Sequence, residues 1–410
     1  MLLAVPIASY GASIPNDSTN NVFGNLFGNR RITLSNDSYV IFSALDRECF
    51  FYHPVTGAGL EQSIAICKNK PSTIWKAGGK IGYAFSANRL TGELNTQLNT
   101  KRQRIHIYGG SEFADWKGDI GDDRFTNSVI ALFNNRTYKS LFFRKYASLE
   151  YSARPTYSIE LHSALNYNNI EVEENRCNFS IFHVKKHFPP NIPINNSVDS
   201  CSLSNGHQTS ISFTASYTPR TIGFTDDNGR PIIIGSLWPT FTIGVEHGME
   251  GCSNYTHLHA SVLQRIAMTN NSMFKWEIDG GKFLNSSKTR FYQWKHFSGS
   301  NKRVALTSEL DGYVGFVMFR PYELSTNKWY SSLKVAYITP KLIFRQIPLL
   351  AYFDFNEELY LKNATVNGNN AYTEMGYGWG NVLNAIRMTV FTSFVNSHFE
   401  AVKFRMAIDL

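Results

Sequence analysis

The 410-residue sequence contains no stretch of 18 or more apolar residues. That excludes a spanning helix, because crossing a hydrocarbon core about 30 Å thick takes about 20 apolar residues in helical form. Charge is also sparse, at 18% of residues with a net of +8. No run of five or more basic residues occurs, and the densest cluster, Lys101, Arg102 and Arg104, is short. Nucleic acid therefore lacks its usual footprint and is not expected as a partner. The five cysteines, Cys49, Cys67, Cys177, Cys201 and Cys252, include no C-x-x-C spacing. This argues against a zinc site or a dense disulfide frame. Cys177 and Cys201 could bridge a loop in an oxidising compartment; the alternative is that all five are unpaired small hydrophobes. No repeat of about 20–50 residues points to a propeller or solenoid, and no strong amphipathic helix is evident. What the chain has in quantity is apolar and aromatic side chains, 43% and 14% of residues, too many for a disordered chain.

Those side chains recur with period two. Trp75, Ala77, Gly79, Ile81, Tyr83 and Phe85 share one face, and Lys76, Gly78, Lys80, Gly82 and Ala84 the other. After Ser86-Ala87-Asn88-Arg89 the pattern resumes at Leu90, Gly92, Leu94, Thr96 and Leu98, so the two segments predict a hairpin. The alternation returns at 147–153, 157–167, 211–217, 241–246, 274–278 and 329–337. It closes with Val402, Phe404, Met406, Ile408 and Leu410 against Lys403, Arg405, Ala407 and Asp409. Turn-forming residues such as Asn367-Gly368-Asn369-Asn370 separate the runs.

Within lipid every backbone amide and carbonyl must find a partner inside the protein, so a sheet can span only if it is closed, with one face to lipid and one to the lumen. Segments of about ten alternating residues satisfy that demand, whereas strands of a soluble sandwich usually run about five or six. The fold class expected is all-β, an antiparallel transmembrane β-barrel of roughly 14–16 strands. Trp75, Tyr108, Trp238, Trp276, Trp294 and Trp329 are candidates for the aromatic girdles at its rims. Residues 31–410 would form the barrel and residues 1–30 a degraded leader or linker, since MLLAVPIASYGAS is apolar without a preceding Lys or Arg. The abrupt start before an Asn-rich stretch raises the expectation of a truncated reading frame or of missing upstream domains. Nine N-x-S/T sequons keep a secreted glycoprotein in view, although an Asn-rich chain generates many by chance.

Several segments carry a family likeness in their order and spacing. They are Ile211–Arg220, Trp238–Gly244 followed by Glu246 and Gly248, Glu277–Lys282, Phe319–Glu323 running on to Ser325–Tyr330, Arg345–Leu350, and Tyr372–Gly378 followed by Asn381 and Ile386-Arg387. Over residues 35–410 the chain resembles the C-terminal barrel region of Bacteroidota outer-membrane proteins that carry a carboxypeptidase-regulatory-like domain upstream. That family of undefined role is itself similar to the surface-antigen, or outer-membrane assembly, superfamily. The resemblance implies the bacterial outer membrane, its lipid as surroundings, and other envelope proteins or exported cargo as partners. Two departures stand out: this chain shows neither the clear leader nor the upstream domain, and it ends in Leu410 where such barrels favour an aromatic residue.

No constellation spells out chemistry. His257 and His259 share a strand face at a spacing that suits zinc or copper, with Glu246 and His247 near in sequence, yet lumen lining explains them without a metal. Asp115, Asp119, Asp122 and Asp123 lack the spacing of a calcium loop. Asp354, Glu357 and Glu358 offer carboxylates without a partner or substrate. A nucleophile elbow is absent, and Gly376-Tyr377-Gly378-Trp379-Gly380 lacks the rest of a phosphate loop, so its glycines read as strand positions needing close packing. No catalytic residue, cofactor or metal is expected. The residues singled out are Arg320, Glu323, Glu374 and Arg387, charged groups beside strands that a lumen network would pair. The expected function is a non-enzymatic scaffold or conduit in envelope biogenesis or export. Its rivals are a porin-like solute channel and a secreted all-β adhesin. A conduit would need a weakened seam between first and last strands, and a porin an open, charged lumen with a constricting loop.

Overall fold

The computed structural model describes residues 29–408 except 36, 44–48, 71, 119–123, 183–185, 196–197, 199–201, 227–230, 250–253, 269–270, 287–288, 300–303, 307–314, 341, 344–346, 348–354, 368–369 and 383–385. The leader expected over residues 1–30 therefore lies almost wholly outside the described residues. The first half runs β1 (Asn29–Ser35), β2 (Ser38–Ser43), β3 (Phe50–His53), β4 (Gly57–Lys70), β5 (Thr73–Ala84), β6 (Arg89–Thr100), β7 (Gln103–Asp115), helix α1 (Arg124–Asn134), β8 (Leu141–Thr156), β9 (Ile159–Val172) and β10 (Gly206–Tyr217). The second half runs β11 (Ile222–Thr225), β12 (Pro231–Gly235), β13 (Thr240–Met249), β14 (Tyr255–Ala267), β15 (Met273–Leu284), β16 (Lys295–His296), β17 (Val304–Leu306) and β18 (Ser325–Thr326). It ends with β19 (Trp329–Thr339), β20 (Asn356–Val366), β21 (Asn370–Val382), β22 (Ile386–Val395) and β23 (His398–Ile408).

Nineteen strands belong to one sheet, and β11/β12 and β16/β18 form two small ribbons beside it. β3 and β17 are short pieces, so the wall has one or two strands more than the 14–16 expected. Along the chain each wall strand pairs antiparallel with the next, as an up-and-down barrel requires. The predicted hairpin is β5/β6, with Ile81 opposite Gly92 and Lys80 opposite Glu93. β23 covers the closing alternation as far as Ile408; Asp409 and Leu410 lie outside the described residues.

The sheet is inside out relative to a water-soluble protein. Leu94 is 76% exposed and Ile81, Leu90 and Ile243 are exposed with it, whereas Lys362 and Glu374 are fully buried. A large apolar outer surface over wall strands of 10–16 residues from β4 onward, and charge within, is the distribution lipid demands. Trp75, Trp238 and Trp329 stand exposed on the outside as the girdle reading expects, but Trp294 is buried in a connection and Tyr108 lines the interior.

Helix α1, between β7 and β8, is a correction to the reading that found no amphipathic helix. Its buried residues are Thr126, Asn127, Ser128 and Ala131. Phe125, Val129, Leu132 and Phe133 do recur at helical spacing, a short signal that the reading passed over, and Phe125 and Phe133 stay exposed while the small and polar side chains face inward. Ser128 Oγ donates to the Arg124 carbonyl at 2.8 Å and accepts the Tyr52 amide at 2.9 Å, tying the helix to β3.

At the ends of the sheet, β1 pairs with β2, and β23 pairs with β22. Among the described residues no ladder joins β1 to β23. The outer edge of β23 instead takes up β17 in parallel, with Val304 opposite Met406, Ala305 opposite Ala407 and Leu306 opposite Ile408.

Candidate functional site

β17 belongs to the connection between β15 and β19, residues 285–328, whose described residues fold against the inner wall. Phe297, Phe316 and Phe319 from this insert join Tyr255, Phe283, Tyr330 and Tyr372 of the wall in one buried cluster. Phe291, Trp294 and Tyr322 join Trp116, Phe142 and Ile170 in another. The insert thus touches both the early and the late strands.

Polar anchors fix it more specifically than the rings. The Glu374 carboxylate, on the inner face of β21, accepts the Val317 amide at 2.9 Å, the Met318 amide at 2.7 Å and the Tyr372 hydroxyl at 2.9 Å. Lys403 of β23 donates to the Val317 carbonyl at 3.0 Å, and Lys362 of β20 donates to the Gly315 carbonyl. A carboxylate accepting two adjacent backbone amides and lysines donating to the carbonyls of Gly315 and Val317 leave few polar groups of this segment without partners, as burial requires.

On the far wall, Tyr322 donates its hydroxyl to Asp115 and accepts the Ser140 amide, while Asn195 donates to its carbonyl at 2.7 Å. Burial and the neighbouring Asp115 carboxylate hold the Tyr322 phenol well above its ordinary range, so it is the proton donor of that pair. Its φ of +71° is a left-handed conformation disfavoured for a bulky side chain. The contacts on both sides of the residue hold it there.

Buried His296 donates from Nε2 to the Phe291 carbonyl at 2.9 Å, and its Nδ1 lies 2.8 Å from Ser325 Oγ. Burial pushes its pKa down to about 3. The unfolded chain takes up this proton near its ordinary pKa and the folded chain does not, so the stability contributed is complete above about pH 6.5 and falls as pH drops towards 3. At about 1.4 kcal/mol per pH unit, His296 should cost the fold about 2 kcal/mol between pH 7 and 5. Unfolding midpoints of the wild type and His296→Gln at both pH values check this. Equal pH dependence in the two proteins would sink it.

The four residues singled out from the sequence fall in three places. Glu374 anchors the insert. Arg387, on the inner face of β22, pairs with Glu358 at 2.8 Å, and Glu358 also accepts the Tyr360 hydroxyl at 2.6 Å. Arg320 is exposed, and Glu323 accepts its backbone amide at 2.8 Å in a local turn. The structure does not bring the four into one network.

Sequence reasoning missed the charged pairs that do line the wall. Lys80–Glu93 at 3.4 Å, Glu112–Arg144 at 2.5 Å and Glu277–Lys334 at 3.4 Å each join residues directly opposite in adjacent strands. The available signal was opposite charge at the polar parity of neighbouring strands.

The other candidates resolve locally. The His257 and His259 rings stack at 5.3 Å, and His257 Nε2 is 3.1 Å from the Tyr330 hydroxyl. Among the described residues no three potential metal ligands gather. Asp119, Asp122, Asp123 and Asp354 lie outside the described residues. Glu357 accepts the Ile343 amide at 2.9 Å and the Tyr377 hydroxyl at 2.6 Å, a structural use of a carboxylate. Gly376 and Gly380 clear space on the inner face, where a Cβ would meet the Phe391 ring at 2.3 Å and the Glu358 carboxylate at 2.2 Å. Cys177 carries no disulfide and its sulfur lies 3.4 Å from the Tyr52 hydroxyl; Cys201 lies outside the described residues.

An antiparallel β-barrel with an apolar exterior, a charged inner wall and a strand-bearing insert across its lumen defines the class of protein. The chain belongs to a family of unknown function, matching its C-terminal domain, DUF5686, over residues 24–379. No curated protein matches. Among solved structures it is similar to BamA from Haemophilus ducreyi lacking POTRA domains 1–3, at 11% identity and a TM-score of 0.43, covering 92% of this chain and 74% of that one. It is also similar to CdiB from Acinetobacter baumannii (10%, TM-score 0.39, 85% and 56% covered) and to a triple mutant of the Rhodopseudomonas blastica porin (8%, TM-score 0.31, 85% and 90% covered).

Proposed function

We propose that the protein is a non-enzymatic barrel of the bacterial outer membrane that acts as a gated conduit or scaffold in envelope biogenesis or export, with other envelope proteins or cargo as its partners. The observation that carries this reading is the seam. β23 holds three residues of the insert along the edge where a closed barrel would hold β1. Among the described residues only Met406–Ile408 of that edge are paired, by a three-residue segment rather than by a continuous ladder, so the wall could part there without breaking a full strand pair. Glu374 is the gate's anchor, and Arg387 stiffens the wall beside it.

The test locks β17 to β23. Ala305→Cys with Ala407→Cys, in a background without the native cysteines, places thiols at paired backbone positions. In planar bilayers the reduced protein should show brief openings that oxidation suppresses and reduction restores. Steady conductance in both states would favour the porin. Solubility without detergent, with glycans at Asn135 and Asn363, would replace both readings by the secreted adhesin.

A further inference from the structure

Between the inner faces of the wall strands from β7 to β15 and residues 292–296 of the insert lies a cavity of about 440 Å3. That volume is in the range of small-molecule sites. Rings including Tyr146, Tyr255 and Trp294 line it alongside the side-chain amides of Asn166, Asn168 and Gln208. Flat rings for C–H faces and amides for hydroxyls are what a sugar requires.

Charge adds a second demand. Three cations line the cavity, and two are committed: Arg144 to Glu112 and Lys295 to Asp279, the latter at 2.8 Å. Lys117 is different. It is only 3% exposed, and among the described residues neither a hydrogen bond nor an ion pair reaches its ammonium. Its ammonium sits 5.8 Å from the Tyr322 ring, and Asp115, which takes the Tyr322 hydroxyl, is outside ion-pairing distance. The Gln208 amide nitrogen is likewise buried without an acceptor. Glu246, the carboxylate on this lining, is held by the Tyr255 hydroxyl. Two buried donors without hydrogen-bond acceptors border one cavity; the buried Asp115 carboxylate offsets part of the Lys117 charge from beyond ion-pairing distance but gives its ammonium no bond, and a buried donor left so is costly. An acceptor-rich anion answers both.

We propose that this cavity binds a hydroxyl-rich organic anion, a sugar acid or a sugar phosphate, with Lys117 as the residue that recognises its charge. The site does not depend on the seam, and it stands or falls separately from the gating role.

Calorimetric titration of the full chain in detergent, with galacturonate, glucose 6-phosphate, glucose and inorganic phosphate as probes, tests the proposal. At least one of the first two should bind about tenfold more tightly than either glucose or inorganic phosphate. Galacturonate alone identifies a carboxylate, and glucose 6-phosphate alone a phosphate. Lys117→Gln should remove the preference over glucose and Lys117→Arg should keep it, in protein that remains heat-modifiable on a gel. Trp294→Leu, which changes no charge, should weaken the sugar ligands only, and it serves if Lys117→Gln does not fold. Binding of glucose or inorganic phosphate as tight as that of the sugar anions would overturn the proposal. So would no binding at all, or affinities that neither variant alters.

Discussion

Glu374→Ala should destabilise the barrel by about 3–5 kcal/mol, as expected when one partner of a buried charged cluster is deleted. The carboxylate is fully buried and accepts two successive backbone amides of the insert. Lys362, directly opposite on β20, is fully buried as well and loses the negative charge beside it. The cost divides between unpaired amides at 317 and 318 and a buried ammonium that has lost the carboxylate opposite it, neither of which water reaches easily. Glu374→Gln keeps the size and one acceptor, so it should cost less. The gel temperature at which the compact band disappears reports stability. Conductance in planar bilayers reports whether the insert has left the lumen, and it should rise in the alanine variant. An unchanged transition temperature together with unchanged conductance would show that the ring contacts of Phe316 and Phe319 hold the insert without this carboxylate.

Arg387→Met should be the second large effect. Glu358 is 1% exposed and its carboxylate is shared between Arg387 and the Tyr360 hydroxyl. Removing the guanidinium leaves a buried anion with one neutral donor, a loss of about 3–5 kcal/mol. Glu358→Gln in the same chain should recover much of it, because the amide carries no charge to compensate. A melting temperature for Arg387→Met equal to that of the wild type would mean that water, not the arginine, solvates Glu358.

Much of the wall was legible in the sequence because a strand with lipid on one side and lumen on the other has to alternate at every residue. β5 and β6 could be read to within two residues of their ends, and β23 nearly to its end. The face assignment at Leu94 and Glu93 was readable for the same reason. The insert was not. Its residues are fixed by partners far along the chain, such as Tyr322 with Asp115 and Val317 with Glu374, and no local period encodes those pairs. Arg320 and Glu323 carry charge beside a strand and so looked like lumen residues, but their turn bonds to itself. Glu357 and Glu358 offered carboxylates with no visible partner, and the structure gives each its own: backbone amides for the first and an arginine for the second. A carboxylate's chemistry follows from what faces it across the lumen, and that is set by register and closure. Glycines 376 and 380 were readable as sites of close approach, but not the ring and the carboxylate that approach them.

The placement of the insert also dictates an order of assembly. Tyr322 must reach Asp115, more than half of the chain before it, and Val317 must meet Glu374 and Lys403, which follow it. When synthesis has passed residue 328, the first of these contacts can form, but the strands that hold the other end do not yet exist. The insert can seat fully only after β20 to β23 have paired, so sealing of the interior is among the last events of folding. Until then the rings of residues 316 and 319 and the edge that β17 will occupy are open to other chains. Such late, long-range closure is slow and leaves partly built barrels prone to association. A chain of this kind benefits from being held, strand by strand, until its own middle segment comes home.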